Sequence, residues 1–221
     1  MRAREMLGVL AAASVLALLG QSASAATVEG LKINSSSVGS GPTIVFVHGW
    51  TCDSSSWTAQ VPAFAKDHRV ITLHLPAHGQ SASPKDGKLS MDLFARAVEA
   101  VRAEAGADRI VLVGHSMGAP VIRQYAHLYP QHVAGLVAVD GPLDIRVFPT
   151  ELPPGFAASF TGPEGRAARE GMIRSMFIAE TPPALQEKIL AMMLAAPEAT
   201  AVGAMNATFD PVNRWTDVIQ S

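Results

Sequence analysis

The pentapeptide from Gly114 to Gly118 constrains the fold of this chain more than any other stretch. It reads Gly-His-Ser-Met-Gly, and it stands between an apolar, β-branched run at 109–113 and a stretch at 119–129 whose apolar residues recur at helical spacing. The sequence therefore predicts a strand, a tight turn and a helix, with Ser116 at the tip of the turn. A residue at such a tip has a strained backbone, and only small neighbours such as the two glycines avoid clashes there.

This strand, turn and helix are the pattern of a nucleophile elbow, in which the serine hydroxyl projects into a site. The backbone N–H of Met117, at the start of the following helix, would point at an oxyanion that develops there. A glycine-rich turn without chemistry is the alternative for the pentapeptide taken alone. Its context favours chemistry, because the buried-strand run Thr43–Val47 ends in His48-Gly49-Trp50, from which a second oxyanion donor, the N–H of Trp50, is expected.

These motifs, in this order, resemble those of the α/β-hydrolase family, in particular its esterase, lactonase and haloperoxidase-like branch. The matching stretches are His48-Gly49-Trp50 with Ser56-Trp57, the loop Leu75-Pro76-Ala77-His78-Gly79-Gln80-Ser81, the pentapeptide, and Ala138-Val139-Asp140-Gly141. In the family the loop usually begins with Asp and carries Gly where Ala77 stands. Here His74 takes the Asp position, so its internal hydrogen bonds are expected to differ.

The resemblance implies an α/β fold, with a mostly parallel sheet, flanking helices and a helical cap. Residues 26–141 are expected to form the core, 142–206 the cap and 207–221 a helix that returns to the core. Within the core, the sequence predicts strands at Arg69–Leu73 and Val133–Val139, a helix after an Asp53 or Ser54 cap, and a helix from Met91 capped by Ser90. The cap contains two amphipathic stretches, at 165–179 and 184–195.

Several sulfur-containing and aromatic residues of the cap are candidates for lining an apolar acyl pocket, because thioethers adapt to varied shapes. The alternative is that they pack the cap against the core. They are Met172, Met176, Phe177, Met192 and Met193.

The amino-terminal 25 residues read as a secretory signal peptide. Arg2 and Arg4 precede an apolar run at 7–19, and Ala23-Ser24-Ala25 supplies small residues for cleavage after Ala25. We therefore expect a periplasmic or secreted protein. A membrane anchor is the alternative, but the run is shorter than the ~20 residues that span a bilayer, so we expect no membrane association after cleavage.

Composition excludes other classes of function. The chain has 221 residues and a net charge of −2, with no cluster of Lys or Arg beyond its first residues, which argues against nucleic-acid binding. The single cysteine, Cys52, cannot form a disulfide within the chain and is either a buried thiol or a reactive one. The motifs imply a small-molecule ester as the binding partner, and they imply neither a cofactor nor a metal. They do not indicate an oligomeric state.

The general base is the part of the site that the sequence does not supply. The family's chain order is Ser, Asp or Glu, then His, with two further strands after the cap. All seven histidines lie between His48 and His132, and His48 and His115 flank turns where ring nitrogens usually make structural hydrogen bonds. We therefore expect a C-terminally truncated chain whose sheet ends at the sixth strand, with an edge left uncovered.

Asp140 is a candidate triad acid because it follows the sixth strand, where some relatives keep theirs; the alternative is that it braces the turn into the cap. The leading hypothesis is thus a serine hydrolase of small carboxylic esters or lactones, impaired by the missing histidine. A serine in the elbow disfavours a haloalkane dehalogenase, which resembles this branch but has Asp there. A catalytically inactive remnant or binding module is one alternative, and completion of the site by a partner chain is another.

Overall fold

The computed structural model describes residues 22–144 and 152–213, and their centre is a six-stranded sheet in the order β1-β2-β4-β3-β5-β6. The strands are β1 (Ser22–Val28), β2 (Leu31–Val38), β3 (Thr43–Val47), β4 (Arg69–Leu73), β5 (Ile110–His115) and β6 (Val133–Val139). The pairs β1–β2 and β2–β4 are antiparallel, whereas β4, β3, β5 and β6 run parallel. This confirms the predicted mostly parallel α/β fold.

Six α-helices surround or cover the sheet. They are α1 (Val61–Phe64), α2 (Met91–Glu104), α3 (Gly118–Leu128), α4 (Gly165–Ser175), α5 (Pro183–Leu194) and α6 (Glu198–Phe209). The two central helices follow the sequence patterns closely: the Ser90 hydroxyl accepts a hydrogen bond from the Leu93 N–H and caps α2, and α2 packs on α3. The centre of the sheet is buried, since all five residues of β3 are buried.

The segment after β3 differs from the single helix that the sequence suggests. It forms a 3-10 turn at Ser54–Trp57 and then the short α1. Asp53 does cap the first turn, accepting from the Ser55 N–H at 2.7 Å, but Pro62 lies in the first turn of α1 and supplies no N–H to continue the first helix into the second. As a result Phe64 is 43% exposed.

The region after β6 contains three helices where the sequence indicated two. Helices α4 and α5 match the predicted stretches, whereas α6 crosses the boundary expected at residue 206. The return helix predicted at 207–221 lies mostly outside the described residues; in its described part, the residues up to Phe209 belong to α6 and Pro211–Asn213 forms a 3-10 turn.

The signal peptide and its cleavage after Ala25 stay a prediction. Strand β1 begins at Ser22, so the predicted cleavage position lies within the stretch that pairs with β2. The earlier part of the predicted signal peptide lies outside the described residues. Within the described ranges, no single helix is long and apolar enough to cross a membrane; α5 and α6 meet that test only as a pair bent by 91°.

Candidate active site

Ser116 occupies the tip of the turn between β5 and α3 and has a left-handed backbone, with φ of +52°. A non-glycine residue in that region is strained, and such strain concentrates at functional sites. The flanking glycines are required by space: a Cβ on Gly114 would lie 2.3 Å from the carbonyl oxygen of Gly118, and one on Gly118 would lie 2.4 Å from that of Val47. The predicted strand, tight turn and helix with Ser116 at the tip of the turn are therefore confirmed.

The ends of two neighbouring strands hold Ser116 from either side. Its N–H donates to the carbonyl of Val139, the last residue of β6, at 3.0 Å. A Cβ on Gly141 would lie 2.4 Å from the Ser116 carbonyl oxygen, and a Cβ on Gly49 would lie 3.1 Å from the Ser116 Cβ. The loops after β3 and β6 thus close on the serine, which remains only half-buried.

Strained residues recur at this edge of the sheet. Thr51, Ala77, Ser116 and Asp140 have φ of +52°, +66°, +52° and +47°, and they follow β3, β4, β5 and β6 in turn. Because these four strands are parallel, their carboxyl ends share one edge, where ligands of open α/β sheets bind. The strain therefore marks the same edge as the elbow.

The two predicted oxyanion donors, Trp50 and Met117, directly follow the two residues in contact, Gly49 and Ser116. Met117 is buried and precedes the first residue of α3, where the first N–H groups of a helix have no partner within the helix. Trp50 is buried next to Gly49 in the loop that contacts Ser116.

Asp140 is exposed directly before Gly141. Its carboxylate acts on His115: burial lowers the pKa of the imidazole, and Asp140 partly opposes that shift. This places Asp140 beside the elbow without giving it a hydrogen bond to a histidine among the described contacts.

His48 is a structural residue in this fold. It is fully buried, and both ring nitrogens are engaged: Nδ1 lies 2.9 Å from the Gly49 carbonyl oxygen, and Nε2 accepts from the Leu75 N–H at 3.0 Å. Accepting at Nε2 requires the proton to be on Nδ1, so the ring is neutral. Burial accordingly lowers the pKa of His48 well below its ordinary value.

His78, which the sequence did not single out, is also fully buried. Its Nδ1 lies 2.9 Å from the Pro76 carbonyl oxygen, and its ring packs 5.1 Å from that of His48 and 5.9 Å from that of Phe94. Burial lowers its pKa to about 4. An aromatic contact on each side identifies it as a neutral core residue rather than a base.

His74, which stands at the start of the loop after β4, makes hydrogen bonds within and beyond that loop. Its Nδ1 accepts from the Gln80 N–H at 3.1 Å, so Nε2 carries the proton and donates to the Ser54 hydroxyl at 2.9 Å. The Ser81 hydroxyl donates to the His74 carbonyl at 2.6 Å. These three hydrogen bonds hold the loop in place. Burial lowers the pKa of the His74 imidazole, which favours its neutral form.

The cap contacts the site through α5 and α6. The sulfur of Met192 accepts from the hydroxyls of Ser55 and Ser56 at 3.3 and 3.5 Å. Met193 is buried against the core whereas Met176 is 53% exposed, so the predicted methionine set is divided between packing and the surface. Met172 and Phe177 pack partly buried against the core.

Cys52 is buried, and burial raises the pKa of its thiol to about 11, which disfavours the thiolate. Across residues 22–144 and 152–213, no three His, Cys, Asp or Glu side chains are grouped so that they could hold a metal ion. A cavity of about 500 Å³ lined by Ser37, Thr43 and Arg69 lies at the opposite, amino-terminal edge of the parallel strands.

Comparison with known proteins identifies the fold. A family model described as alpha/beta hydrolase fold matches residues 42–211. The dihydrolipoyllysine-residue acetyltransferase component of the acetoin cleaving system from Cupriavidus necator is 30% identical over 153 residues, which are 69% of this chain and 40% of that protein. Bifunctional epoxide hydrolase 2 of Sus scrofa is 25% identical over 115 residues, 51% of this chain and 21% of its own length. The chain thus spans two fifths or less of these relatives.

Solved structures of hydrolases have the same fold. Est816, described as an N-acyl homoserine lactone degrading enzyme, superposes with a TM-score of 0.70 at 26% identity, covering 85% of this chain and 74% of its own. An esterase from Exiguobacterium antarcticum superposes with a TM-score of 0.74 at 20% identity, covering 84% and 72%. At 20% identity the second likeness establishes the fold alone.

Proposed function

The chain belongs to the α/β-hydrolase family, and on that premise we propose that it is a serine hydrolase of small carboxylic esters or lactones with Ser116 as its nucleophile. The observation that carries the proposal is the left-handed backbone of Ser116, closed in by Gly49 and Gly141. A turn without chemistry has no need to maintain a strained serine between two strand ends.

In the proposed reaction, the Ser116 oxygen attacks the ester carbonyl carbon and passes its proton to water, because no side-chain base is assigned; the carbonyl oxygen becomes an oxyanion, and the leaving alcohol later takes its proton from water. The backbone N–H groups of Trp50 and Met117 stabilise that charge, which is worth about 10²- to 10³-fold in turnover for one donor. The tetrahedral intermediate then expels the alcohol, and water releases the acid from the acylated serine.

The fold and one neighbour support the proposed substrate class. Est816, at 26% identity, is described as an N-acyl homoserine lactone degrading enzyme, and an ester or lactone carbonyl is the electrophile that a serine and two backbone donors accommodate. Asp140 is proposed as the group that orients a base beside the elbow, or that braces the turn into the cap.

Turnover by this chain is proposed to be slow, because no histidine is assigned as the base. The described hydrogen bonds engage both ring nitrogens of His48 and of His74. Without its histidine, a serine site retains on the order of 10³ to 10⁴ over the rate in water, from binding and oxyanion stabilisation.

The same engaged histidines favour a second candidate, a catalytically inactive binding module of this fold. We retain the sequence-based proposal of a periplasmic or secreted location, which sequencing the amino terminus of the mature protein tests directly.

Hydrolysis of p-nitrophenyl acetate by purified protein and by the Ser116→Ala variant separates the two candidates. The enzyme proposal expects release of p-nitrophenol above background that Ser116→Ala abolishes. Equal background rates for both proteins would exclude it and leave the binding module.

A further inference from the structure

Two consecutive residues of α6 attach the cap to the loops around the site. The indole Nε1–H of Trp50 donates to the carbonyl oxygen of Ala201 at 2.8 Å, and the hydroxyl of Thr200 donates to that of Ala77 at 3.0 Å. Both bonds are buried, and each joins residues more than 120 positions apart in the chain. One helical turn therefore holds the loop after β3 through Trp50 and the loop after β4 through Ala77.

The loop after β3 needs such support from outside. Thr51, the residue after Trp50, has φ of +52°, a conformation that a β-branched residue avoids. Its hydroxyl is buried and has no hydrogen-bond partner among the described residues, so its own side chain does not hold the turn. Within the turn, the Cys52 N–H donates to the Gly49 carbonyl at a rather long 3.2 Å.

The indole of Trp50 is fixed on a second side as well. Its ring lies 5.2 Å from that of Phe160, in the 3-10 turn Ala157–Phe160, and only 6% of Trp50 is exposed. Both of these contacts of the Trp50 side chain come from the region after β6, whereas its backbone belongs to the loop against Ser116.

We propose that the side chain of Trp50 is a positioning element: α6 holds the indole, and the indole sets the direction of the Trp50 backbone N–H at the oxyanion. The cap and the oxyanion hole then move as one unit, so that a substrate that displaces α6 also alters oxyanion stabilisation. This inference rests on the proposed function for its catalytic consequence, but the mechanical coupling stands apart from it.

The matched variants are Trp50→Phe, which removes the indole N–H, and Thr200→Val, which removes the neighbouring bond from the same helix without touching the oxyanion loop. Misdirecting one donor acts mainly on the transition state. Trp50→Phe should lower kcat for p-nitrophenyl acetate by about 10- to 100-fold with KM changed less than about threefold. Thr200→Val should change kcat less than about twofold.

Amide hydrogen exchange measures the coupling between α6 and the loop after β3 without requiring any catalytic activity. Trp50→Phe should speed exchange at residues 49–52, whereas Thr200→Val should speed it at residues 74–81 and leave 49–52 as in the wild type. If wild type and variants are all inactive, the proposed function fails while the exchange result still decides the coupling.

Trp50 can also be replaced by 3-benzothienylalanine, in which sulfur takes the place of the N–H in a ring of the same shape. This replacement separates the effect of the lost hydrogen bond from that of the lost ring volume. It also keeps the test available if Trp50→Phe does not fold. The proposal expects this replacement to reproduce the faster exchange at 49–52. Unchanged exchange there, or an equal effect of Thr200→Val on those residues, would overturn it.

Discussion

Strands β3 and β6 are alike in sequence and opposite in surroundings. Both are short, apolar and free of charged residues. Every residue of β3 is buried, whereas Val137 and Val139 of β6 are 45% and 38% exposed. Strand β3 lies between β4 and β5; in the described part of the chain β6 pairs with β5 alone. The burial of a strand is thus set by its neighbours, which its own residues do not specify.

The candidate site lies between these two environments. On one side Ser116 meets Gly49, at the end of the buried β3; on the other it meets Gly141 and the Val139 carbonyl, at the end of the exposed β6. One wall of the site is therefore rigid core and the other is an exposed strand end, and the following substitutions test that difference.

The largest difference should come from placing a carboxylate on each strand. Val45→Asp in β3 puts an unpaired charge where the side chain is 0% exposed, which should cost about 4 kcal/mol or more and leave little folded protein. Val137→Asp in β6 reaches water and should cost about 1 kcal/mol or less. Urea unfolding followed by circular dichroism measures both. Similar losses for the two variants would refute the contrast.

The second largest effect is expected from acid, which should lower the free energy of unfolding through the buried His78. The pKa of His78 is lowered from 6.5 to about 4 by burial, so between those values the unfolded chain binds a proton that the folded chain does not. Stability is therefore lost as pH falls from about 6.5 to 4, by up to about 1.4 kcal/mol per pH unit from this residue. His78→Phe should flatten that part of the profile in urea unfolding at several pH values. A profile as steep as that of the wild type would assign the acid loss elsewhere.

The smallest expected effect is a difference in stability between alanine substitutions at two glycines, one against the end of β3 and one after the end of β6. A Cβ on Gly118 would meet the Val47 carbonyl of buried β3, whereas one on Gly141 would meet the Ser116 carbonyl and the Ala119 Cβ from the end of the exposed β6, which has a neighbouring strand on one side only among the described residues. Gly118→Ala should cost about 2 kcal/mol and Gly141→Ala less than about 1 kcal/mol. Unfolding midpoints measured side by side check the order, and the reverse order would show that the β6 end is the rigid wall.

Local signals explain what the sequence predicts well. The bounds of β4 and β6 match the apolar runs, and Ser90 caps α2 as its position indicates. The elbow follows from two glycines and an apolar strand, because the steric requirement is contained within five residues.

What the sequence misses depends on long-range partners. Helix α6 is rich in Ala, with Thr, Gly and Met, so it shows no apolar stripe, and its attachment to Trp50 joins residues 151 positions apart. The buried role of His78 depends on rings from two other elements. Strand β1 consists mainly of small residues without a clear strand pattern, and its pairing with β2 identifies it as a strand.

The most direct test of the central claim is covalent labelling of the intact protein with a fluorophosphonate, followed by peptide mass spectrometry. Such a reagent phosphonylates a nucleophilic serine whose oxyanion site is formed, and because no base is assigned to Ser116 the adduct should form slowly. The account predicts a single adduct on the peptide containing Ser116, absent from Ser116→Ala and slowed in Trp50→Phe but not in Thr200→Val. No adduct, or an adduct on another residue, would contradict the assignment of Ser116 as the nucleophile.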